Sequence, residues 1–257
     1  MILPRYDYGR AGMIGIGTPQ ANPTVEAEFR ILMPADIAVV TSRLVSRASG
    51  ALDRLRDYLE RMHTTLEQFD TLRPAAFGFA CTGSSYLVER KRQRSLIAGL
   101  EQRFGYPIVT ATDAIDAELR ALGARRIALA SPYPPALADA AGAYWRASGY
   151  EVAAVRRIET GSDDTRSIYA LGSGDARDAA TELAGMHVDA VLFSGTGMPS
   201  LALLADPPAG GPALLSSTLS LARSLCRLIG AAPLQITDWR PRLIATLSPS
   251  AEGAADQ

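Results

Sequence analysis

The sequence predicts an α/β protein made of two pseudo-symmetric Rossmann-like halves, each a mostly parallel four-stranded sheet flanked by helices, with the active site in the cleft between them. Three observations predict it. Short, nearly continuous apolar runs alternate with helical stretches, the pattern of parallel strands covered on both faces. The chain also repeats itself: in the register that lays Cys81 over Gly195, Phe77-Gly78-Phe79 falls on Val191-Leu192-Phe193 and Leu87 on Leu201. One residue out of that register, Ile14-Gly15-Ile16-Gly17-Thr18-Pro19 falls on Ile127-Ala128-Leu129-Ala130-Ser131-Pro132. A third pair, Pro107-Ile108-Val109 leading to Gly123 and Pro212-Ala213-Leu214 leading to Gly230, keeps the same order, as an ancient duplication would. Finally, 257 residues at 47% hydrophobic content suffice for one large core or two smaller ones.

The elements follow in order. Residues 12–18 read as a buried strand that breaks at Pro19 into a loop, and 24–32 as a helix. A strand at 36–42 precedes a helix over 50–69, where Leu52, Leu55, Leu59, Met62, Leu66 and Phe69 make a core-facing stripe with His63 beside it. The strand at 75–80 runs into Cys81; a helix at 87–103 and a strand at 107–110 follow. Thr112 caps a helix at 113–122, which Gly123 terminates. The second half repeats the plan, with strands at 126–130, 151–157, 188–194 and 212–216. Its helices are expected at 136–148, ending at Gly149, and at 174–185, 198–204 and 218–229, the last capped by Ser217. By the repeat, the first half takes residues 1–104 and the second 105–216; residues 248–257 read as a small, polar, disordered tail.

In such sheets ligands bind beyond the carboxyl ends of the strands. Four loops qualify: 18–22, 81–85, 131–133 and 194–197. A thiol at Cys81, where a strand passes into a helix, faces free backbone N–H groups and the positive end of the helix dipole, which favour thiolate. The hydroxyls of Thr82, Ser84 and Ser85, with the amides around Gly83, are suited to hold a carboxylate or enolate oxygen. Gly195-Thr196-Gly197 offers the same backbone without a thiol. Two facing anion loops suit a diacid, or a carboxylate whose neighbouring carbon becomes an enediolate. Free cysteine is also a small core residue; the hydroxyl cluster and the recurring Thr-Gly pair favour function for Cys81. Cys226, on the stripe of Leu221, Leu225 and Leu228, reads as core.

These loops carry a resemblance. Pro19-Gln20-Ala21-Asn22-Pro23-Thr24-Val25-Glu26, Cys81-Thr82-Gly83-Ser84, Leu122 to Leu129 with Ser131-Pro132-Tyr133, and Ser194-Gly195-Thr196-Gly197 occur in family-like order from about Gly12 to Gly230. Over that span the chain resembles the aspartate/glutamate racemase superfamily, in the branch of maleate cis-trans isomerase and arylmalonate decarboxylase. The resemblance implies catalysis without metal or organic cofactor, a homodimer, and final helices, 217–247, that return to the first half. It also implies that Asn22 orients a substrate carboxylate, Tyr133 hydrogen-bonds one, Cys81 is the first-half catalytic cysteine, and Gly195 stands where the second-half cysteine belongs. Two-thiol racemisation is then unavailable, and Ser194 is a poor replacement acid or base.

Two one-thiol reactions remain. Cys81 adds to a cis-unsaturated diacid, the new single bond rotates, and elimination gives the trans isomer; or Cys81 protonates the enediolate left by an arylmalonate-type decarboxylation. The first loop and the retained thiol position favour isomerisation. A non-catalytic small-acid binding protein is the third reading.

Composition narrows the partners. A net charge of -1 announces no nucleic-acid surface, no apolar stretch approaches the roughly 18 residues of a membrane span, and the first residues lack signal-peptide order. Two cysteines make no disulfide framework, and His63 and His187 have no ligand partners at metal spacing, so a cytoplasmic protein without a metal centre is expected. Arg43 is a candidate carboxylate partner in the cleft, Ser162-Asp163-Asp164-Thr165 a candidate lid, and Glu89 to Arg94 a solvated helix face.

Overall fold

The computed structural model describes residues 6–207 and 210–248. The first half contains β1 (Gly12–Pro19), α1 (Thr24–Leu32), β2 (Ile37–Leu44), α2 (Ala51–Glu60), α3 (Met62–Leu66), β3 (Ala76–Phe79), α4 (Thr82–Tyr86), α5 (Arg90–Phe104), β4 (Ile108–Thr110) and α6 (Ala111–Ala121). The second contains β5 (Arg126–Ser131), α7 (Pro135–Ala147), β6 (Glu151–Arg157), a 3-10 segment Thr165–Ala170, α8 (Arg177–Ala184), β7 (Ala190–Phe193), α9 (Leu201–Ala205) and β8 (Ala213–Ser216). Helices α10 (Ser217–Leu228) and α11 (Ile236–Leu247) complete the chain.

Both sheets are parallel and share one order, β2-β1-β3-β4 and β6-β5-β7-β8. Strand order reverses between β1 and β3, and again between β5 and β7, so the four central strand ends are topological switch points. Because β4 pairs with β3, the first sheet extends past the expected division at 104/105. Helix α10 packs on α1, α6, β3 and β4, and α11 on α1 and α9.

Local sequence explains the layers. Ile14 and Ile16 are fully buried, while the alternate glycines admit the aromatic layer: a Cβ on Gly17 would stand 2.6 Å from the ring of Phe77. Removing a side chain of that size from water stabilises the fold by roughly 2–3 kcal/mol. The expected helix at 50–69 is broken at Arg61 (φ -104, ψ 20), and its end tightens into a 3-10 turn, Glu67–Phe69. The stripe is nevertheless buried from Leu55 to Phe69.

The caps lie a residue or two before the expected ones. Thr110 accepts from the Asp113 amide and Ser216 from the Leu219 amide, because each helix begins directly at its strand end. The positive φ of Gly123 (64°) and Gly149 (96°) ends α6 and α7. Cys226 is buried as expected, but Leu228 of its stripe is exposed. The charged run at 89–94 is not wholly solvated: Arg90 pairs with Asp116 at 3.0 Å, and buried Gln93 donates to the Thr110 hydroxyl at 3.2 Å. Both belong to the face of α5 that meets β4 and α6. Among the described residues no helix is long and apolar enough to cross a membrane. The tail expected at 248–257 lies, apart from Ser248, outside the described residues.

Candidate active site

Each switch point delivers one loop to a common cavity. After β1, Asn22 is 1% exposed; its Oδ1 accepts from the amides of Thr24 (2.9 Å) and Val25 (3.4 Å), which starts α1. That leaves Asn22 Nδ2 buried without a hydrogen-bond partner. After β3, Cys81 is extended (φ -149, ψ 95) and opens α4, so its Sγ takes a hydrogen bond from Ser84 Oγ at 3.1 Å. After β5, the Tyr133 hydroxyl reaches Thr82 Oγ1 across the halves at 2.7 Å. After β7, the Gly195 amide donates to Ser217 Oγ (3.1 Å) and Thr196 Oγ1 donates to the Ala80 carbonyl (2.8 Å).

The cavity is narrow and only partly open to solvent. Pro19, Asn22, Leu55 and Cys81 line it from the first half; Tyr133, Thr165, Ile168, Tyr169 and Gly195 to Gly197 line it from the second. Its volume of about 20 Å³ holds one water-sized group and no diacid, so entry requires a wall to move. The 3-10 segment that forms one wall is tethered to the first half where Asp164 meets the buried Arg54 guanidinium at 2.6 Å. Of the stretch named above as a candidate lid, Thr165 lines the cavity and Asp164 carries that ion pair.

Six of the nine sequence candidates line the cavity: Asn22, Cys81, Tyr133, Gly195, Thr196 and Gly197. Thr82 and Ser84 stand behind, holding Tyr133 and Cys81, while Gly83 lets Leu55 approach to 3.2 Å of where its Cβ would be. Ser194 does not replace the second thiol: its hydroxyl is fully buried against Tyr86 at 2.8 Å, outside the cavity wall. Arg43 does not enter the cleft either. It pairs with Glu26 at 2.5 Å and donates to the Asn22 carbonyl at 3.1 Å, bracing the first loop from outside the cavity. Sequence reasoning missed Leu55 as a wall, Ile168 and Tyr169 altogether, and Ser217 as a partner of Gly195; Thr165 entered it only as the end of a candidate lid.

Electrostatics correct one expectation. Burial pushes the Cys81 thiol pKa up, and the opposing bonds from the Ser84 hydroxyl and the Ser84 and Gly83 amides only partly offset it. Desolvation of a fully enclosed thiolate outweighs the helix-end amides, so the resting group is a thiol. Burial likewise holds the Tyr133 hydroxyl well above the ordinary phenol range. None of the lining residues is an acid, a base or a cation at neutral pH.

Gly195 is more than a missing side chain. Its φ of +142° disfavours any L residue, and a Cβ there would lie 3.0 Å from Pro132 Cγ and 3.5 Å from the Tyr133 hydroxyl.

Fold and site together define a duplicated α/β protein with a lone thiol at the switch point of one sheet and a glycine at the other. Comparison with known proteins places that class. The sequence model of arylmalonate decarboxylase matches residues 33–233, and the maleate isomerase of Nocardia farcinica (strain IFM 10152) is 30% identical over 242 residues, covering 82% of this chain and 89% of its own. The chain belongs to the arylmalonate decarboxylase family. In structure it is similar to a Cys→Ser variant of Nocardia farcinica maleate cis-trans isomerase with a covalently bound succinylcysteine intermediate, at TM-score 0.71 and 22% identity over 86% of this chain and 93% of that one. It is also similar to a liganded Gly→Cys, Cys→Ser double mutant of arylmalonate decarboxylase, at TM-score 0.74 and 21% identity over 87% and 96%.

Proposed function

We propose that this chain is a cofactor-independent, single-thiol enzyme that isomerises a small cis-unsaturated diacid, with Cys81 as nucleophile. The observation that carries the reading is the pairing, in one neutral cavity, of a lone thiol with the unpartnered Asn22 Nδ2 donor. The identity with maleate isomerase and the succinylcysteine held by its structural relative support it.

In this reading Cys81 reacts as thiolate after losing its proton to solvent, since no lining residue is a base. The sulfur bonds to one alkene carbon while the π pair moves onto the far carboxylate as an enediolate, held by Asn22 and the amides around Gly195 to Gly197. Rotation about the new single bond precedes return of the pair and cleavage of C–S. Unlike a succinylcysteine, this adduct is not protonated at carbon, so no second group is needed to deliver and remove that proton. The reading extends to a homodimer in the cytoplasm, where two unpaired cysteines stay reduced.

A second reading has its own support. A thiol kept protonated by burial is a better proton donor than nucleophile, and Leu55 and Ile168 give the cavity an apolar wall. Arylmalonate-type decarboxylation, with Cys81 protonating one face of the enediolate, follows from those features. Incubation with maleate and with phenylmalonate, followed by proton NMR, separates the two: fumarate supports the first, phenylacetate the second. Conversion of neither leaves a different diacid or small-acid binding as the readings, and full activity in Cys81→Ser sinks the catalytic assignment.

A further inference from the structure

We propose that Glu28 is a positioning residue that, from the first half, fixes the second anion-holding loop, Gly195 to Gly197, through the backbone of Ser200. The inference rests on the reading of that loop as a substrate-carboxylate site. Glu28 lies one turn beyond Thr24 on the same face of α1. Thr24 Oγ1 donates to the Gly197 carbonyl at 2.8 Å, and Glu28 Oε1 accepts the Ser200 amide at 2.9 Å, so one helix holds the chain at the end of the loop and again three residues on. The helix is also the one that Asn22 starts, so the donor of the first loop and the backbone of the second share a support.

The carboxyl is 5% exposed, and its Oε2 has no hydrogen-bond partner. The Ser200 hydroxyl is 3.5 Å from Oε1 and is itself turned to Ser216 Oγ at 2.7 Å. No counter-charge compensates it. Its neighbours from the loop, α9 and α10 are Ser200, Leu201 and Thr218. On the elements packed against α1, Arg223 of α10 is committed to Glu118 and Arg242 of α11 to the carbonyls of Ile31 and Met33; on the helix itself Glu26 pairs with Arg43, and Arg30 is exposed at its last turn. Burying an uncompensated acid costs stability, which a site needed only for packing would avoid with an apolar residue.

Desolvation raises the Glu28 pKa to about 7, so both forms are populated near neutrality. The Oε1 acceptor holds the Ser200 amide in either form, but opening the loop solvates the carboxyl and returns its pKa toward 4.5. The closed loop therefore binds more protons than the open one, and it loosens as pH rises through neutrality.

Hydrogen exchange of the loop peptide 194–201, read by mass spectrometry on the full chain without ligand, tests this. Glu28→Ala is expected to speed its exchange by about ten-fold, the value of one lost backbone hydrogen bond, and Glu28→Gln, which keeps an acceptor, by less than about three-fold. Corrected for intrinsic chemistry, wild-type protection falls between about pH 6 and 8, and that step is absent in Glu28→Gln. Unchanged exchange in a folded Glu28→Ala, or a surviving step in Glu28→Gln, overturns the proposal; if Glu28→Ala does not fold, the step alone decides. For whichever diacid is turned over, KM rises in Glu28→Ala and is rescued in Glu28→Gln. Because exchange is read without substrate, failure of the proposed reaction leaves this test intact.

Discussion

Replacing Ser84 by alanine removes the hydroxyl that donates to Cys81 Sγ at 3.1 Å and leaves the amide bonds in place. A hydrogen bond to a charged group contributes about 1.5–3 kcal/mol. Both partners are buried, so solvent screening does not reduce that value. The bond favours thiolate, and its loss lowers the thiolate fraction at neutral pH by roughly 10- to 100-fold. The assay is the rate of iodoacetamide labelling of Cys81 from pH 7 to 9, with Cys226 in the same digest as control. Closure of the cavity slows both proteins equally, so the ratio of their rates reports ionisation. The sign separates the two chemistries. With the thiol pKa raised, thiolate grows as pH climbs: isomerisation by thiolate accelerates into the alkaline range and falls with Ser84→Ala, whereas decarboxylation by the neutral thiol slows there and is spared by the substitution. Equal labelling of Cys81 in wild type and Ser84→Ala would show that the hydroxyl does not tune the thiol.

Three further outcomes are expected. Gly195→Cys loses about 1–3 kcal/mol from backbone strain at φ +142°, seen as a lower Tm, and does not create a racemase; an unchanged Tm contradicts the strain. Arg54→Ala unpins the 3-10 segment and speeds Cys81 labelling a few-fold, a modest factor because Asp164 is one-third exposed and keeps Arg166 as a partner; an unchanged rate places the entrance elsewhere. A carboxyl whose pKa is raised on folding binds more protons when folded, so Glu28 lowers stability as pH rises from its ordinary value of 4.5 to about 7. The loss is about 3 kcal/mol in denaturant titrations, and Glu28→Gln, lacking it, is the more stable protein at pH 8. A wild-type stability curve that rises over that interval removes the basis for the shift.

All eight strands were legible because each is a short apolar run set off by glycine, proline or a charge, and Ile14–Ile16 or Val191–Phe193 have no competing helical period. The break at Arg61 was not, since the stripe from Leu55 to Phe69 continues through it. Cys81 and Gly195 were legible as the ends of matched strands, but the state of the thiol was not: its protonation depends on walls from Leu55, Ile168 and Tyr169. The last two come from a loop with no periodic pattern, and Leu55 already satisfied a core reading. Glu28 was invisible for a related reason, being one more polar residue in an amphipathic helix until tertiary structure buries it.

The backbone at Gly195 makes the two matched strand ends non-interchangeable. A side chain placed there meets a left-handed φ and the ring of Pro132, so a second thiol is accommodated only if neighbouring residues move. Building a paired-thiol site into this chain is therefore a problem of loop redesign and not of one substitution.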